Sequence, residues 1–302
     1  MKIRLIEVPM DFGASRRGVN VGPTALRLAG IKEKLMELGH HPEEDEQPIF
    51  VPIQEIAQEY DSTLKFLPAI LAGCRKLAQR VEATKQEGLF PLVMGGDHSI
   101  AVGTLAGLGA YYRAQGIRWG VVWLDAHGDY NTPETSPSGN IHGMPLAAST
   151  GIGSPELTGL HGDFTKVDPS HVVIIGLRDV DLGERQNLKN QKVKTFTMAD
   201  IDRKGIDSVM AETLEYLKQR VDVIHLSFDV DSLDPTFAPG VGTPVPGGLT
   251  YREAHFIMEH LAASGMVGSA EVVEVNPILD IQNKTAETAV EMIASLLGKT
   301  IL

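Results

Sequence analysis

Short apolar runs alternate with longer amphipathic stretches along the whole chain, and this alternation predicts the secondary structure. The runs are rich in β-branched residues, and several are apolar throughout, as strands covered on both faces of a sheet are. The six predicted strands are Ile3–Val8, Phe90–Met94, Gly120–Asp125, Val172–Leu177, Val223–Asp229 and Ala270–Val275. The stretches between them predict helices over Pro23–Leu38, Asp61–Glu87, Ile100–Ala114, Gly205–Gln219, Tyr251–Ala263 and Thr285–Leu297.

This order of elements predicts an α/β protein whose parallel sheet carries helices on both faces. Three polar segments interrupt the pattern and predict loops. They are His40–Pro48, which reads HHPEEDEQP, and the stretches Asn131–Gly143 and Pro235–Gly248, which are rich in Gly, Pro and small polar residues. Because strands and helices continue across all three, we expect residues 1–302 to form a single domain.

Composition and charge restrict the class of function. The 302 residues are 43% hydrophobic and 22% charged, which is typical of a globular protein with a large core. Lys and Arg number 27 against 39 Asp and Glu, which makes the formal net charge −12. This balance argues against nucleic acid and against an anionic membrane as partners, because both require a cationic surface.

The cysteine count and the apolar runs predict the compartment. Cys74 is the single cysteine, which excludes an intrachain disulfide and a Cys-rich zinc site. The opening stretch Met1–Asp11 is broken by charged residues and lacks the apolar core of a signal peptide. No run approaches the ~18 apolar residues that a membrane span needs. We therefore expect a cytoplasmic protein in a reducing environment.

Acidic and histidine side chains follow four of the predicted strands. The motif GGDHS at 95–99 follows the second strand, DAHGD at 125–129 the third, Asp229-Val230-Asp231 the fifth and Glu274 the sixth. Ligands of open α/β sheets bind beyond the carboxyl ends of the strands, where these residues are expected to lie. Extended backbone also points alternate residues the same way, so the acids and histidines within each motif could converge.

Closely packed carboxylates repel one another and take up protons unless cations neutralise them. Four carboxylates carry a total charge of −4, which two divalent cations would neutralise. This balance of charge predicts a dinuclear metal site. The oxygen-rich donor set, with two imidazoles and no thiolate, suits Mn²⁺ better than a structural Zn²⁺. Two metals ~3.5–4 Å apart could share a water molecule and lower its pKa, which would produce a hydroxide nucleophile near neutral pH.

These motifs resemble the three metal-binding signatures of the ureohydrolases, and among them those of the arginases. The resemblance rests on GGDHS at 95–99, DAHGD at 125–129 and SFDVDSLDP at 227–235, and it extends from GVNVGPTALR at 18–27 to the last helix. It implies six metal ligands. His98 and Asp129 are the implied ligands of the first metal, and His127 and Asp231 are those of the second. Asp125 and Asp229 are the two implied bridging carboxylates.

The resemblance also implies a substrate and a reaction, namely hydrolysis of L-arginine to L-ornithine and urea by a hydroxide that bridges two Mn²⁺ ions. Glu274 is expected to pair with the guanidinium group, His142 to shuttle protons, and Asp129 to hydrogen-bond or relay a proton. The implied contacts of the substrate α-carboxylate are Asn131, Ser138 and Asn140. Those of the α-amino group are Asp181 and Glu184, and those of the guanidinium group are Thr243 and Glu274. For Asp181 and Glu184, a role as acids at the start of a helix is the alternative.

Three other functions remain open at this point. The first is the same chemistry on another guanidine or amidine, such as agmatine or formiminoglutamate. Agmatine has no carboxylate, so Ser138 and Asn140 would have no role. The second is a dinuclear phosphoesterase, which predicts Arg or His residues facing a phosphate. The third is a non-catalytic metal-binding relative, which predicts damaged ligands, whereas all six are intact.

The apolar runs and the resemblance together predict a three-layer αβα sandwich with a mainly parallel sheet of about eight strands. The resemblance further implies a homo-oligomer, either a trimer or a hexamer of two trimers. Of the other histidines, His225 lies in a predicted strand and is expected to have a core or surface role.

Overall fold

An eight-stranded sheet runs through the centre of the protein. The computed structural model describes residues 1–45, 47–51 and 62–300. Its strands are β1 (Lys2–Val8), β2 (His41–Glu44), β3 (Phe90–Gly95), β4 (Trp119–Leu124), β5 (Val172–Leu177), β6 (Lys194–Thr197), β7 (Val223–Asp229) and β8 (Val267–Val273). All neighbouring strands pair in parallel, in the order β2-β1-β3-β8-β7-β4-β5-β6. The prediction of a mainly parallel sheet of about eight strands is confirmed.

Helices cover both faces of this sheet. They are α1 (Gly22–Leu28), α2 (Ile31–Glu37), α3 (Leu67–Gln86), α4 (Ala101–Gln115), α5 (Pro145–Ser149), α6 (Pro155–Thr158), α7 (Leu182–Gln191), α8 (Met198–Lys204), α9 (Ile206–Lys218), α10 (Tyr251–Ser264) and α11 (Lys284–Leu296). None of the helices in the described ranges has both the length and the apolar character needed to cross a membrane.

Two apolar cores, one on each face of the sheet, explain the three layers. Helices α1, α2 and α8 to α11 pack on one face, and α3 to α7 pack on the other. Along β4, Val122 and Leu124 belong to the first core, whereas Val121 and Trp123 belong to the second. Because alternate side chains of a strand point to opposite faces, a strand buried on both sides is apolar at every position.

The two edge strands were not predicted from the sequence. Residues 41–44, expected to lie in a loop, form β2 and pair with residues 2–5 of β1, so this part of the loop prediction was wrong. Strand β6 forms the opposite edge and has only four residues. Short, charged edge strands protect a sheet from pairing with other chains. Because β2 and β6 are short and rich in polar residues, they lack the apolar pattern from which a strand is predicted.

The predicted helices are present with different boundaries. The helix expected over Pro23–Leu38 is divided into α1 and α2, because Gly30 adopts a left-handed conformation with a φ of +80°. The helix expected over Asp61–Glu87 corresponds to α3, which begins at Leu67. The predicted start of that helix, Asp61, lies outside the described residues.

Gly96 lies just after β3, where the backbone passes very close to Met10. A Cβ atom at Gly96 would lie 1.7 Å from the carbonyl oxygen of Met10, so any side chain would force two backbone segments apart. We expect Gly96→Ala to lower the free energy of unfolding by about 3 kcal/mol or more, as severe overpacking does.

Urea unfolding of the metal-free protein, followed by circular dichroism, measures this effect. Gly88→Ala is the matched control, because a Cβ atom there meets nothing within 4 Å and only the φ of +73° is unfavourable. The control should lose about 1–2 kcal/mol. Equal losses in the two variants would contradict the close-approach explanation.

Candidate active site

The candidate site lies at the carboxyl ends of four adjacent strands, which occur in the order β3-β8-β7-β4 in the middle of the sheet. Polar side chains follow each of these strands directly. They are His98 after β3, Glu274 after β8, Asp229 and Asp231 at the end of β7, and Asp125, His127 and Asp129 after β4. The topology therefore brings together residues that are up to 176 positions apart in the chain, as the bond from the His98 amide to Glu274 shows.

The first group of possible metal ligands surrounds one nitrogen of His98. Its Nδ1 lies 3.1 Å from Asp125 Oδ2, 3.0 Å from Asp129 Oδ2 and 3.1 Å from Asp229 Oδ2. A ring nitrogen carries at most one proton, so it can donate to only one of these three oxygens. Donor atoms from His98, Asp125 and Asp229 all lie within 4.8 Å of one another. Such convergence of acceptors is typical of a site for a cation.

The second group consists of Asp125, His127 and Asp231, whose donor atoms also lie within 4.8 Å of one another. His127 Nδ1 is 3.4 Å from Asp125 Oδ1 and 3.2 Å from Asp231 Oδ2. Asp125 is common to both groups and presents one oxygen to each, as a bridging carboxylate does. Asp229, the other predicted bridge, lies in the first group only.

Asp129 belongs to neither of these two groups, although its Oδ2 lies close to His98. This buried oxygen has no hydrogen-bond partner of good geometry among the described residues. An orphaned buried carboxylate oxygen is costly unless a cation or a donor satisfies it. The carboxylate and imidazole donors, without any thiolate, fit hard or borderline divalent cations. The ligand roles of all six residues stay predictions.

The pKa values at the site reflect crowded negative charge in a buried setting. Burial raises the pKa of Asp229 well above its usual range, and the nearby carboxylates of Asp231 and Asp125 raise it further. Burial, together with Asp125, also raises the pKa of Asp129 to about 6. Burial opposes the protonation of His98, but the adjacent carboxylates of Asp125, Asp129 and Asp229 outweigh it and raise the His98 pKa well above its ordinary value. Bound cations would relieve the same repulsion.

A buried hydrogen-bond chain holds the ring of His98 from behind. Its Nε2 lies 2.8 Å from Ser227 Oγ, and the Ser227 hydroxyl donates to Glu271 Oε1 at 2.7 Å. Since the hydroxyl proton is directed at Glu271, Nε2–H of His98 donates to Ser227, and Nδ1 is the nitrogen that faces the carboxylates. The His98 ring stacks on Trp123 at 4.1 Å, and Trp123 Nε1 donates to Asp125 Oδ2 at 2.9 Å.

Sequence reasoning missed Ser227, Glu271 and Trp123. One signal was available, because Ser227 and Trp123 each lie two residues before an aspartate of the site and point the same way along a strand. Partners of this kind orient metal ligands and fix their protonation.

A cavity opens above these two groups, and six of the seven predicted substrate contacts line it. Those that line it are Asn131, Ser138, Asn140, Asp181, Glu184 and Thr243, together with His142. Ser136 and Asp179 also line the cavity and were not predicted. Ser136 could have been found, because it lies in the same loop as Ser138 and its Oγ is 3.5 Å from Ser138 Oγ.

The two acids at the start of α7 have different surroundings. Glu184 is buried, and its two carboxylate oxygens accept hydrogen bonds from the backbone amides of Tyr130 (2.9 Å) and Asp181 (3.2 Å). Burial raises the pKa of Glu184 to about 8. Asp181 is exposed and accepts a bond from Asn131 Nδ2 at 3.0 Å. Asp181 is the N-cap residue of α7 and forms a capping box with Glu184, so the role at the start of the helix is visible for both acids. Their contacts with a substrate stay predictions.

Glu274 is paired with His142, which lines the cavity, but Glu274 itself is buried and is not one of the lining residues. Glu274 Oε1 accepts from the His98 amide at 2.9 Å and lies 3.2 Å from His142 Nδ1. Glu274 Oε2 is buried and has no hydrogen-bond partner among the described residues. Burial lowers the pKa of His142, but the Glu274 carboxylate outweighs burial and raises that pKa to about 9. The unpaired oxygen is suited to a cationic group of a ligand.

The chain is similar to known arginases over its whole length. It matches the Arginase family model over residues 1–298. It is 53% identical to an arginase of Bacillus caldovelox over 301 residues, which is 99% of each chain. The crystal structure of the native Bacillus caldovelox arginase superimposes with a TM-score of 0.95 at 52% identity, covering 100% of this chain and 99% of that one. A crystal structure of the Bacillus subtilis arginase gives a TM-score of 0.92 at 51% identity over all of both chains. The chain therefore belongs to the arginase family of hydrolases.

Proposed function

We propose that the protein hydrolyses L-arginine to L-ornithine and urea with the help of two Mn²⁺ ions. The observation that carries the proposal is the pair of ligand groups that share Asp125, next to the buried and unpaired Oε2 of Glu274. Relatives named arginase at 53% identity over 99% of both chains support L-arginine as the substrate.

In this proposal two histidines and four aspartates would hold the metals. His98 and Asp129 would serve the first metal, His127 and Asp231 would serve the second, and Asp125 and Asp229 would serve both. The chemistry that two bound Mn²⁺ ions would supply here is activation of water at neutral pH and stabilisation of developing negative charge. Ser227 and Trp123 keep His98 and Asp125 aimed at the metal positions.

Glu274 and His142 act on the guanidinium group and its protons. Glu274 Oε2 accepts charge-assisted hydrogen bonds from the planar cation and fixes its orientation, which turns binding energy into alignment. His142 borders the cavity and is partly open to solvent. It carries protons between bulk water and the amine that leaves as ornithine. Asp129 accepts a hydrogen bond, or relays a proton, next to the guanidinium carbon that is attacked.

The far end of the cavity recognises the amino-acid head group. Neutral donors on Asn131, Ser138 and Asn140 are suited to an α-carboxylate, and the exposed carboxylate of Asp181 is suited to an α-ammonium group. Glu184 supports this region by holding the start of α7. An amine without a carboxylate would leave the donors unpaired, which a polar site penalises strongly.

Parallel turnover assays with L-arginine and agmatine test the proposed substrate. We expect kcat/KM for L-arginine to exceed that for agmatine by about a hundredfold or more, since unpaired polar groups cost 10²-fold or more in such sites. The double variant Ser138→Ala/Asn140→Ala should raise KM for L-arginine and leave agmatine turnover unchanged. A preference for agmatine in the unmodified protein would contradict this assignment.

From the sequence patterns we also propose that residues 1–302 form one domain and that the protein is cytoplasmic. From the resemblance we propose a homo-oligomer, either a trimer or a hexamer. Neither nucleic acid nor a membrane is proposed as a partner, in keeping with the net charge of −12.

A further inference from the structure

We infer that Arg178 is a positioning residue of the candidate metal centre, one that holds Asp231 and the Thr243 loop (residues 242–248) in a common geometry. Arg178 follows β5, and its backbone amide donates to the carbonyl of Ala126, next to Asp125, at 2.9 Å. Its side chain reaches across the ends of two further segments. The inference rests on the proposed function, because Asp231 acts as a metal ligand only if that proposal holds.

Among the residues that the structure describes, the guanidinium group of Arg178 donates only to backbone carbonyls. Its shortest bonds, both from Nη2, are 2.6 Å to Asp231 O and 2.8 Å to Val245 O. The others run from Nε to Val245 O (3.1 Å), from Nη1 to Ser232 O (3.2 Å) and Gly176 O (3.3 Å), and from Nη2 to Leu233 O (3.2 Å). Five carbonyls from three separate segments thus meet at one side chain.

These bonds depend on the shape of the guanidinium group as well as on its charge. Arg178 is partly buried, and within the described part of the chain it forms no ion pair with a carboxylate. The rigid planar fork of arginine can serve several carbonyls at once, whereas a lysine has one ammonium group on a flexible stem. The guanidinium group fits because residue 248 is a glycine. A Cβ atom on Gly248 would lie only 2.6 Å from Nη2 of Arg178.

The two segments held by Arg178 meet again inside the site. The Thr243 hydroxyl donates to Asp231 Oδ2 at 2.9 Å, and the same oxygen lies 3.2 Å from His127 Nδ1. Arg178 therefore holds the backbone of these segments from behind, while the Asp231 carboxylate joins their side chains in front. A displacement of either segment moves Asp231 relative to His127. Asp229 is linked to the moved segment, because the Asp231 amide donates to Asp229 Oδ1 at 2.8 Å. Among the described residues Arg178 bonds to neither Asp229 nor His98, so we expect the larger effect at Asp231 and His127.

The experiment is a calorimetric titration of Mn²⁺ into the metal-free full-length protein and its Arg178→Lys variant. We expect one of the two ions to bind about 10–100-fold more weakly in the variant, as happens when the partner of a metal ligand is lost. The other ion should keep its affinity within about threefold. Arg178→Gln, which retains a donating amide, serves as the second variant if Arg178→Lys is not recovered in folded form.

Arg220→Lys is the matched control. Arg220 also donates to a carbonyl, that of Tyr216 at 2.9 Å, and stacks on the Tyr216 ring, but it lies at the end of α9. This control should bind both ions as the unmodified protein does. Thermal unfolding of the metal-free proteins separates loss of stability from loss of ligand geometry.

Selective weakening of one ion in Arg178→Lys supports the positioning role, because the charge is retained and only the fork is lost. Unchanged binding of both ions, or equal weakening of both with a matching loss of stability, overturns it. An unmodified protein that binds no Mn²⁺ would instead overturn the proposed function. The two failures are therefore distinguishable.

Discussion

Replacing Asp125 by asparagine is expected to abolish arginine hydrolysis, with a fall in kcat of at least about 10³-fold, since metal-ion chemistry contributes several kcal/mol and each 1.36 kcal/mol is a factor of ten. Asp125 is the one residue common to both ligand groups. Asparagine has nearly the same shape but no charge. Both oxygens of Asp125 accept hydrogen bonds, one from Trp123 Nε1 and one from the His127 amide. Asparagine has an NH₂ group in place of one oxygen, so one of these two hydrogen bonds is also lost.

Metal content by mass spectrometry and urea release measure the Asp125→Asn effect together. We expect the variant to retain at most one Mn²⁺ per chain. Asp168→Asn is the matched control, because Asp168 accepts from the amide and the hydroxyl of Ser170 through one oxygen and lies outside both groups. The control should retain both ions. Full occupancy and full activity in Asp125→Asn would show that Asp125 does not bridge the metals.

Replacing Glu274 by glutamine is expected to lower kcat/KM for L-arginine by about 10²–10³-fold, because breaking one partner of a buried charge pair costs roughly 3–5 kcal/mol. The amide oxygen of glutamine can still accept the bond that the His98 amide donates to Glu274 Oε1, so the fold should be retained. What is lost is the negative charge that faces the guanidinium group.

Steady-state kinetics with L-arginine measure the Glu274→Gln effect, and metal analysis shows whether both ions remain bound. Glu287→Gln, on the exposed side of α11, is the control and should behave as the unmodified protein. A loss below about threefold in Glu274→Gln, with both ions present, would remove Glu274 from the proposed mechanism.

The possible metal ligands could be predicted because they occur at strand ends with a spacing of two residues. Asp125, His127 and Asp129 follow an apolar strand directly, and Asp229 and Asp231 do the same. Parallel topology directs the strand ends to one edge of the sheet. The alternation of extended backbone holds only up to the strand ends, because Asp129 has a φ of +50° and Asp231 lies in a 3₁₀ turn over Val230–Ser232. The chain therefore predicts which edge of the sheet carries these residues, whereas the loop geometry that directs each side chain is visible only in the structure.

The supporting residues could not be predicted, because their roles depend on contacts between distant parts of the chain. Glu271 is 44 positions from Ser227, and it resembles any other polar residue within a strand. Arg178 is 53 positions from Asp231, and its bonds go to carbonyl groups that every residue possesses. The edge strand β2 was missed for another reason, since its charged residues face solvent and carry no apolar pattern.

Titration of the metal-free protein with Mn²⁺, followed by electron paramagnetic resonance and by urea release from L-arginine, tests the central claim most directly. The account predicts two ions per chain, a spectrum in which the two spins are magnetically coupled, and urea release that rises as the second ion binds. A single isolated ion per chain, or two bound ions without urea release from L-arginine, would contradict it.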